Sequence, residues 1–260
     1  MAKGPWYPLI DAFSEAWKLK WPFLLSHLVF SMLVLAVIVP LVSLTIRGAI
    51  ALSGQPALSD FDIALYLVSP LGFAAGIIAA SLLLTTAVLN SAFMMAIAHD
   101  ARQSGLRRFE AGVVRILPRL PRILDFAWRF TLRLLVVVLP FLLAALLVFQ
   151  LGLTEYDINY YLKERPPEFY RVAVIGACLL AAMLIVLIGK LLDWSVALPL
   201  VLFSRVTPRE SFGRSKEALQ GKRLNLLLIL TGWGVISAAL LGGTTLLVHT
   251  PTDWLVDRVG

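Results

Sequence analysis

Long apolar stretches separated by short polar segments dominate the hydrophobic pattern of the chain. Five are long enough for a helix to cross a bilayer core of about 30 Å at 1.5 Å per residue. They run at about 21–44, 70–98, 134–151, 172–203 and 224–248. None has the two-residue alternation of a transmembrane strand. The pattern therefore predicts an all-α polytopic transmembrane helix bundle, with residues 1–260 forming a single integral membrane domain.

Two of these stretches carry further signals. Ser69 and Pro70 occupy the N-cap and first helical positions that favour the start of a helix. The stretch 172–203 would measure roughly 48 Å as one straight helix, which exceeds the bilayer core. We expect it to tilt, to bend near Pro199 or to leave the membrane and continue along its surface.

Amphipathic segments precede three of the spans. Residues 1–20 and the segment after Arg107 alternate charged and apolar positions in the manner of helices that lie flat at a membrane surface. A third such segment begins with Thr207 as N-cap, and Glu210 completes a capping box. The recurrence suggests a repeat of flat helix, span, loop and span. Three repeats need six spans, so we expect the complete domain to contain one more than this chain.

Basic residues fall mainly on one side of the predicted bundle. Three lie in 1–20, eight in 99–133 and six in 204–223, whereas the opposite side holds five. Because cytoplasmic loops carry an excess of Lys and Arg, the N-terminus and the amphipathic helices are predicted to be cytoplasmic. The end of this chain is then extracytoplasmic.

Composition supports the membrane assignment and excludes several classes of function. The chain of 260 residues is 59% hydrophobic and 15% charged, against about 25% charged in soluble domains. The net charge of +7 would suggest nucleic acid in a soluble protein, but here the basic residues adjoin spans, so no nucleic-acid partner is expected. No phosphate loop, nucleophile elbow or metal-ligand spacing is present. Neither a catalytic residue nor a cofactor is therefore predicted within these residues.

Several polar groups remain as candidates, each with two interpretations. Lys190 and Asp193, one helical turn apart, form either an ion pair near the membrane surface or an intramembrane functional pair. Asn90 and Ser91 are expected to hydrogen-bond between helices, with a transport site as the alternative. A cluster of basic side chains suits anionic lipid headgroups, and it also fits simple determination of topology: Arg107, Arg108, Arg115, Arg119 and Arg122.

The segment DINYYLKERPPEFY, residues 157–170, lies between two predicted spans. Its aromatic residues are typical of a membrane-interface belt, and its consecutive prolines stiffen the entry to the following span. Its basic residues could instead pair with a phosphate. The candidate contacts for a substrate or for another domain are Asp157, Asn159, Tyr160, Tyr161, Arg165, Pro166 and Pro167.

Two stretches resemble a known family. The stretch DWSVALPLVLFSRVTPRESFGRSKEALQGKR, residues 193–223, resembles the characteristic segment of the membrane domain of bacterial glycerophosphodiester phosphodiesterases, and DINYYLKERPPEFY resembles its outer-face signature. The matching positions are Pro199, Pro208, Ser211, Ser215 and Gly221. In that family the membrane domain precedes a catalytic barrel that uses a divalent metal and opens with His-Arg-Gly. No such motif is present here, so no catalytic residue is carried over.

The resemblance implies a membrane-anchoring and substrate-presenting domain for glycerophosphodiester hydrolysis in lipid or glycerol-phosphate metabolism. It also implies a bacterial inner-membrane location, membrane lipids as partners and a C-terminal phosphodiesterase domain in the same polypeptide. One alternative is a stand-alone protein that handles or transports lipid, for which Lys190, Asp193, Asn90 and His27 are the polar candidates. A second alternative is a purely structural membrane scaffold.

Overall fold

A computed structural model describes residue 14 and residues 17–53, 69–99, 106–153, 158–204 and 206–259. All regular secondary structure in these ranges is helical. The predicted all-α architecture is confirmed, because five helical segments are long and apolar enough to cross a membrane. Most of the predicted flat helix at 1–20 lies outside the described residues.

The helices are labelled here in chain order. The first span combines α1 (Lys20–Leu33), a π-helical segment (Val34–Ile38) and α2 (Val39–Ser53), and the second span is α3 (Pro70–His99). The third helical segment comprises α4 (Leu106–Ile116), a 3-10 turn (Leu117–Arg119) and α5 (Leu120–Gly152), and the apolar stretch 134–151 lies within α5. Then come α6 (Ile158–Glu164), α7 (Pro167–Trp194), α8 (Ala197–Phe203), α9 (Pro208–Ala218) and α10 (Arg223–Val259).

The chain divides into two compact units. One unit, residues 19–216, contains four of the spans, and the other comprises residues 1–18 and 217–260, with α10 as its main element. The spanning part of α10 is Arg223–Gly243. The unit of residues 19–216, which we call the larger unit, holds the hydrophobic core.

Helix α3 is the central helix of the larger unit. It packs against α1, α2, α4, α5 and α8. Its buried positions are mostly small residues, including Gly72, Ala75, Ala79, Ala92 and Ala96, which allow neighbouring backbones to approach closely within a membrane. The predicted start of this helix is confirmed, since the amide of Gly72 donates to the Ser69 hydroxyl oxygen at 3.1 Å.

The hydrophobic core is concentrated at one end of the unit, which we call the arginine end because α4 and the start of α5 lie there. Its fully buried members include Ala92, Ile97, Ile123 and Ala197. Gly112 on α4 permits close approach to α3, because a Cβ there would lie 3.0 Å from the Ile97 side chain. The opposite end, which carries α6 and is called the tyrosine end, has mostly exposed apolar side chains, as expected for helices surrounded by lipid.

The fourth apolar stretch is interrupted near Pro199, which is one of the three outcomes that the sequence left open, although not at the proline itself. Helix α7 ends at Trp194, the chain turns at Ser195 and Val196, and α8 begins at Ala197. The Ser195 hydroxyl donates to the Leu192 carbonyl at 2.9 Å, which satisfies a carbonyl at the helix end. Pro199 lies two residues inside α8, within the first turn, where its missing N–H breaks no helical hydrogen bond.

Candidate functional site

A rigid turn at the tyrosine end joins α6 to α7. Arg165 adopts a φ of +48°, a left-handed conformation that is uncommon for residues other than glycine. Its amide donates to the Tyr161 carbonyl at 3.2 Å. Pro166 then holds an extended conformation, and Pro167 occupies the first turn of α7. Two prolines and one hydrogen-bonded left-handed residue together fix the direction in which the chain enters the membrane.

The two adjacent tyrosines of this turn differ in their exposure. Tyr161 is buried at 4% exposure, whereas Tyr160 is 39% exposed, and their rings meet edge to face at 5.7 Å. Tyr161 therefore supports the turn, and Tyr160 is the more exposed of the two rings. The main chain of Asp157 and the side chain of Asn159, two other predicted contacts, lie outside what is described.

Charged side chains surround the turn. Lys163 and Arg165 are exposed, and Arg171 donates to the Glu168 carboxylate at 2.7 Å. This ion pair is 70% and 52% exposed at its two side chains, so it contributes little to stability. The turn thus presents cationic groups next to an aromatic ring at one end of a span. Such an arrangement can accept a phosphate or another anion.

The predicted lipid-contacting arginines lie on α4, in the 3-10 turn that follows it and at the start of α5. Arg107 and Arg122 are exposed, and Arg108, Arg115 and Arg119 are half-buried. Arg119 donates to the Arg115 carbonyl at 2.7 Å. Beyond them, Arg129 forms an ion pair with Asp125 at 2.9 Å. The arginines therefore spread over two helices rather than forming one pocket, which suits a broad anionic surface.

The family-like positions near the arginine end serve the packing of α9. Pro208 is buried at the first position of α9, and the Glu210 amide donates to the Thr207 hydroxyl at 3.4 Å, as the predicted cap requires. Ser211 and Ser215 are completely buried. The Ser215 hydroxyl donates to the carbonyl of Asp193 at 2.6 Å and so ties α9 to the end of α7. Gly221, with a φ of +74°, turns the chain after α9.

Phe212, between the two buried serines, is the centre of an aromatic cluster. Its ring stacks on Phe126 at 5.0 Å and meets Trp194 edge to face at 5.8 Å. The guanidinium carbon of Arg133 lies 3.9 Å from the centre of the same ring. Sequence reasoning missed this contact, because Arg133 was counted only as a charge that sets topology. The available signal was its position among aromatic and apolar residues directly before the third apolar stretch.

The predicted intramembrane polar groups differ in their exposure and in their hydrogen bonds. Lys190 is exposed and Asp193 is buried at 6% exposure. No ion pair joins these two residues, both of which the structure describes. The Ser91 hydroxyl donates to a carbonyl of its own helix, and not between helices as the sequence led us to expect. The Thr86 hydroxyl also donates within the helix.

Within the described ranges, no three His, Cys, Asp or Glu side chains come together as metal ligands. In comparisons with known proteins, no family model, curated protein or solved structure matches the chain.

Proposed function

We propose that the chain is the membrane-anchoring and substrate-presenting domain of a glycerophosphodiester phosphodiesterase, acting in lipid or glycerol-phosphate metabolism. Hydrolysis would occur in a C-terminal domain of the same polypeptide, and that domain would hold the divalent metal. The membrane would be the bacterial cytoplasmic membrane. The arginine end and the N-terminus would be cytoplasmic, since basic loops are retained on that side, and the tyrosine end would be extracytoplasmic.

The observation that carries the proposal is the constrained cationic turn of residues 160–171. Its backbone is held by the left-handed Arg165 and by Pro166 and Pro167. Because the turn is already ordered, a phosphodiester that binds there does not need to order a flexible loop. Arg165 and Lys163 would pair with the phosphate, and the exposed Tyr160 would rest against the lipid surface.

The arginines at the opposite end support an anchoring role. Each basic side chain near an anionic leaflet contributes about 1 kcal/mol of attraction. Arg107 and Arg122 are exposed on helices that continue into the membrane. They would hold the arginine end against the acidic lipid of the inner leaflet while the tyrosine end presents substrate.

The proposal is tested in the full natural polypeptide. The reading frame beyond the codon for Gly260 is sequenced first, and a continuation into a catalytic segment with a His-Arg-Gly motif is expected. Hydrolysis is then measured in membranes, with a bilayer-embedded lysophospholipid and with a water-soluble glycerophosphodiester. Arg165→Gly removes the guanidinium and keeps the left-handed backbone, because glycine adopts positive φ readily.

We expect Arg165→Gly to lower hydrolysis of the embedded substrate about tenfold and to leave hydrolysis of the soluble one unchanged. A hydrogen bond to a charged group contributes roughly 1.5–3 kcal/mol, and 1.4 kcal/mol corresponds to a factor of ten. Tyr160→Ala should act in the same direction. Tyr161 is unsuitable for this test because it is buried, and its alanine variant would disturb packing.

Arg214→Gly is the matched control, since it removes the same charge from an exposed helical position on α9, away from the turn. An unchanged ratio of embedded to soluble activity in Arg165→Gly would refute the presenting role of the turn. A frame without a catalytic segment, or a full polypeptide that hydrolyses neither substrate, would refute the association with phosphodiesterase activity.

A further inference from the structure

A lateral groove runs along the interface between the first span and α3. It consists of two cavities of about 480 and 460 Å³, and Leu83 of α3 lines both of them. Each volume is in the range of pockets that bind small molecules. The apolar lining of the groove is formed by Val34, Leu35, Val39, Val42, Ile46 and Leu83.

The two ends of the groove are polar, and they differ in charge. Arg47 lines the end near the tyrosine end of the bundle. It is exposed and forms no ion pair with any residue that the structure describes. His27, Ser31 and Asn90 line the other end, and Asn90 Oδ1 is buried there without a donor from the described part of the chain. The apolar track therefore extends from Arg47 to Val34.

The length of this track matches one leaflet. From Val34 to Arg47 is 13 residues, or about 20 Å at 1.5 Å per residue, and half of a bilayer core is about 15 Å. Arg47 closes the first span, which ends at Gly48, so it lies at headgroup depth when the span crosses the membrane. The groove thus places a cation at the headgroup level and aliphatic side chains at the level of the acyl chains.

The lining residues also leave the groove open to the surrounding lipid. Leu35 is 69% exposed, Val39 48% and Leu83 50%. A π-helical segment, Val34–Ile38, interrupts the first span beside the groove. Such segments are rare and often occur at functional sites, because the extra residue in the turn changes which side chains face the neighbouring helix.

We infer that this groove is a binding site for an anionic phospholipid of the leaflet at the tyrosine end. One acyl chain lies along the track from Val42 to Val34, and the phosphate pairs with Arg47. A zwitterionic lipid would fill the same track but would gain less from the cation, because its headgroup carries no net negative charge. The site does not depend on the proposed function, since it requires neither the turn at Arg165 nor any hydrolysis.

Photo-cross-linking in nanodiscs tests this site. The protein is reconstituted with a diazirine acyl-chain probe of either phosphatidylglycerol or phosphatidylcholine, and the labelled peptides are identified by mass spectrometry. We expect phosphatidylglycerol to label the groove-lining positions Val34, Val39 and Val42 and the segment around Leu83 about fivefold more than phosphatidylcholine does, which is the factor for one cation near an anionic lipid.

Two variants and their controls decide the outcome. Arg47→Gln should abolish the preference for phosphatidylglycerol, whereas Arg171→Gln, the same change at another exposed arginine near this end, should preserve it. Val42→Trp should fill the groove and reduce labelling by both probes. Leu44→Trp, at a 67% exposed position of the same helix that does not line the groove, should not.

Three results would overturn the inference. The first is equal labelling of the groove and of the exposed face around Leu44. The second is a preference for phosphatidylglycerol that survives Arg47→Gln. The third is cross-linking of the groove to a second copy of the chain in place of lipid. None of these results depends on catalysis, so the failure of this site is distinguishable from the failure of the proposed function.

Discussion

The contact between Arg133 and Phe212 makes a quantitative prediction about how α9 is held against α5. Phe212 is 4% exposed, and three groups meet its ring: the Arg133 guanidinium, Phe126 and Trp194. A half-buried cation over a phenyl ring contributes about 1 kcal/mol, between the values for exposed and desolvated pairs. Each aromatic pair adds about 0.5–1.5 kcal/mol. Phe212→Leu, which keeps an apolar side chain but removes the ring, should lower the free energy of unfolding by about 2–4 kcal/mol.

A double-mutant cycle isolates the cation–π part. Arg133→Met retains an unbranched apolar stem and removes the guanidinium, and it is combined with Phe212→Leu. The free energy of unfolding is measured by titrating the purified protein with sodium dodecyl sulfate in mixed micelles, followed by far-UV circular dichroism. The expected coupling energy is about 1 kcal/mol.

Arg129 and Asp125, one turn earlier on the same helix, provide the control cycle. Their side chains are 37% and 41% exposed, and an exposed pair at this spacing couples by about 0.3–0.5 kcal/mol. A coupling between Arg133 and Phe212 no larger than that of the control would show that the guanidinium lies over the ring without stabilising it. The reasoning would then be refuted.

Three further predictions use the same unfolding assay. Gly152→Ala should lower the free energy of unfolding by about 1–3 kcal/mol, because the added Cβ would clash with the Val172 side chain. Combining it with Val172→Ala should restore much of this loss. If the double variant is as unstable as Gly152→Ala alone, the clash is not the cause. Ser215→Ala should lower the free energy of unfolding by about 0.5–1.5 kcal/mol through loss of the hydrogen bond to the Asp193 carbonyl. An unchanged midpoint of the sodium dodecyl sulfate titration would mean that this hydrogen bond does not contribute to stability. Gly221→Ala should lower the free energy of unfolding by about 1 kcal/mol, because alanine is strained at a φ of +74°. Gly221→Asn should lower it less, since asparagine adopts the left-handed conformation more readily. Equal effects of the two substitutions would argue against backbone strain.

The parts of the fold that could be predicted are those that depend on local sequence. Five apolar stretches predict five spans because a bilayer leaves a helix as the only way to satisfy the backbone of such a stretch. The cap at Ser69 and the start of α9 at Thr207 and Pro208 are local in the same sense. Their geometry follows from residues within one helical turn, so tertiary contacts are not needed to infer it.

Features that depend on contacts between distant segments could not be predicted. The stacking of Phe212 on Phe126 brings together residues 86 positions apart, and periodicity carries no information about such a pair. The burial of Tyr161 beside the exposed Tyr160 is similar, because both residues read as the same interface belt in the sequence. The position of the break at Ser195 was predicted only approximately. Proline lacks a backbone N–H and is therefore tolerated in the first turn of a helix, but this does not specify at which preceding residue the chain turns.

The concentration of the core at the arginine end has a mechanical consequence. A span of the larger unit that tilts would pivot about a fulcrum near Ala92, Ile97 and Ile123, which are fully buried at that end. A helix of about 24 residues beyond such a fulcrum is roughly 36 Å long. A tilt of about 5° at its base then moves its tip by about 3 Å, with little repacking where the side chains interlock. A small change of tilt at the arginine end would therefore separate the helices by a few ångströms at the tyrosine end.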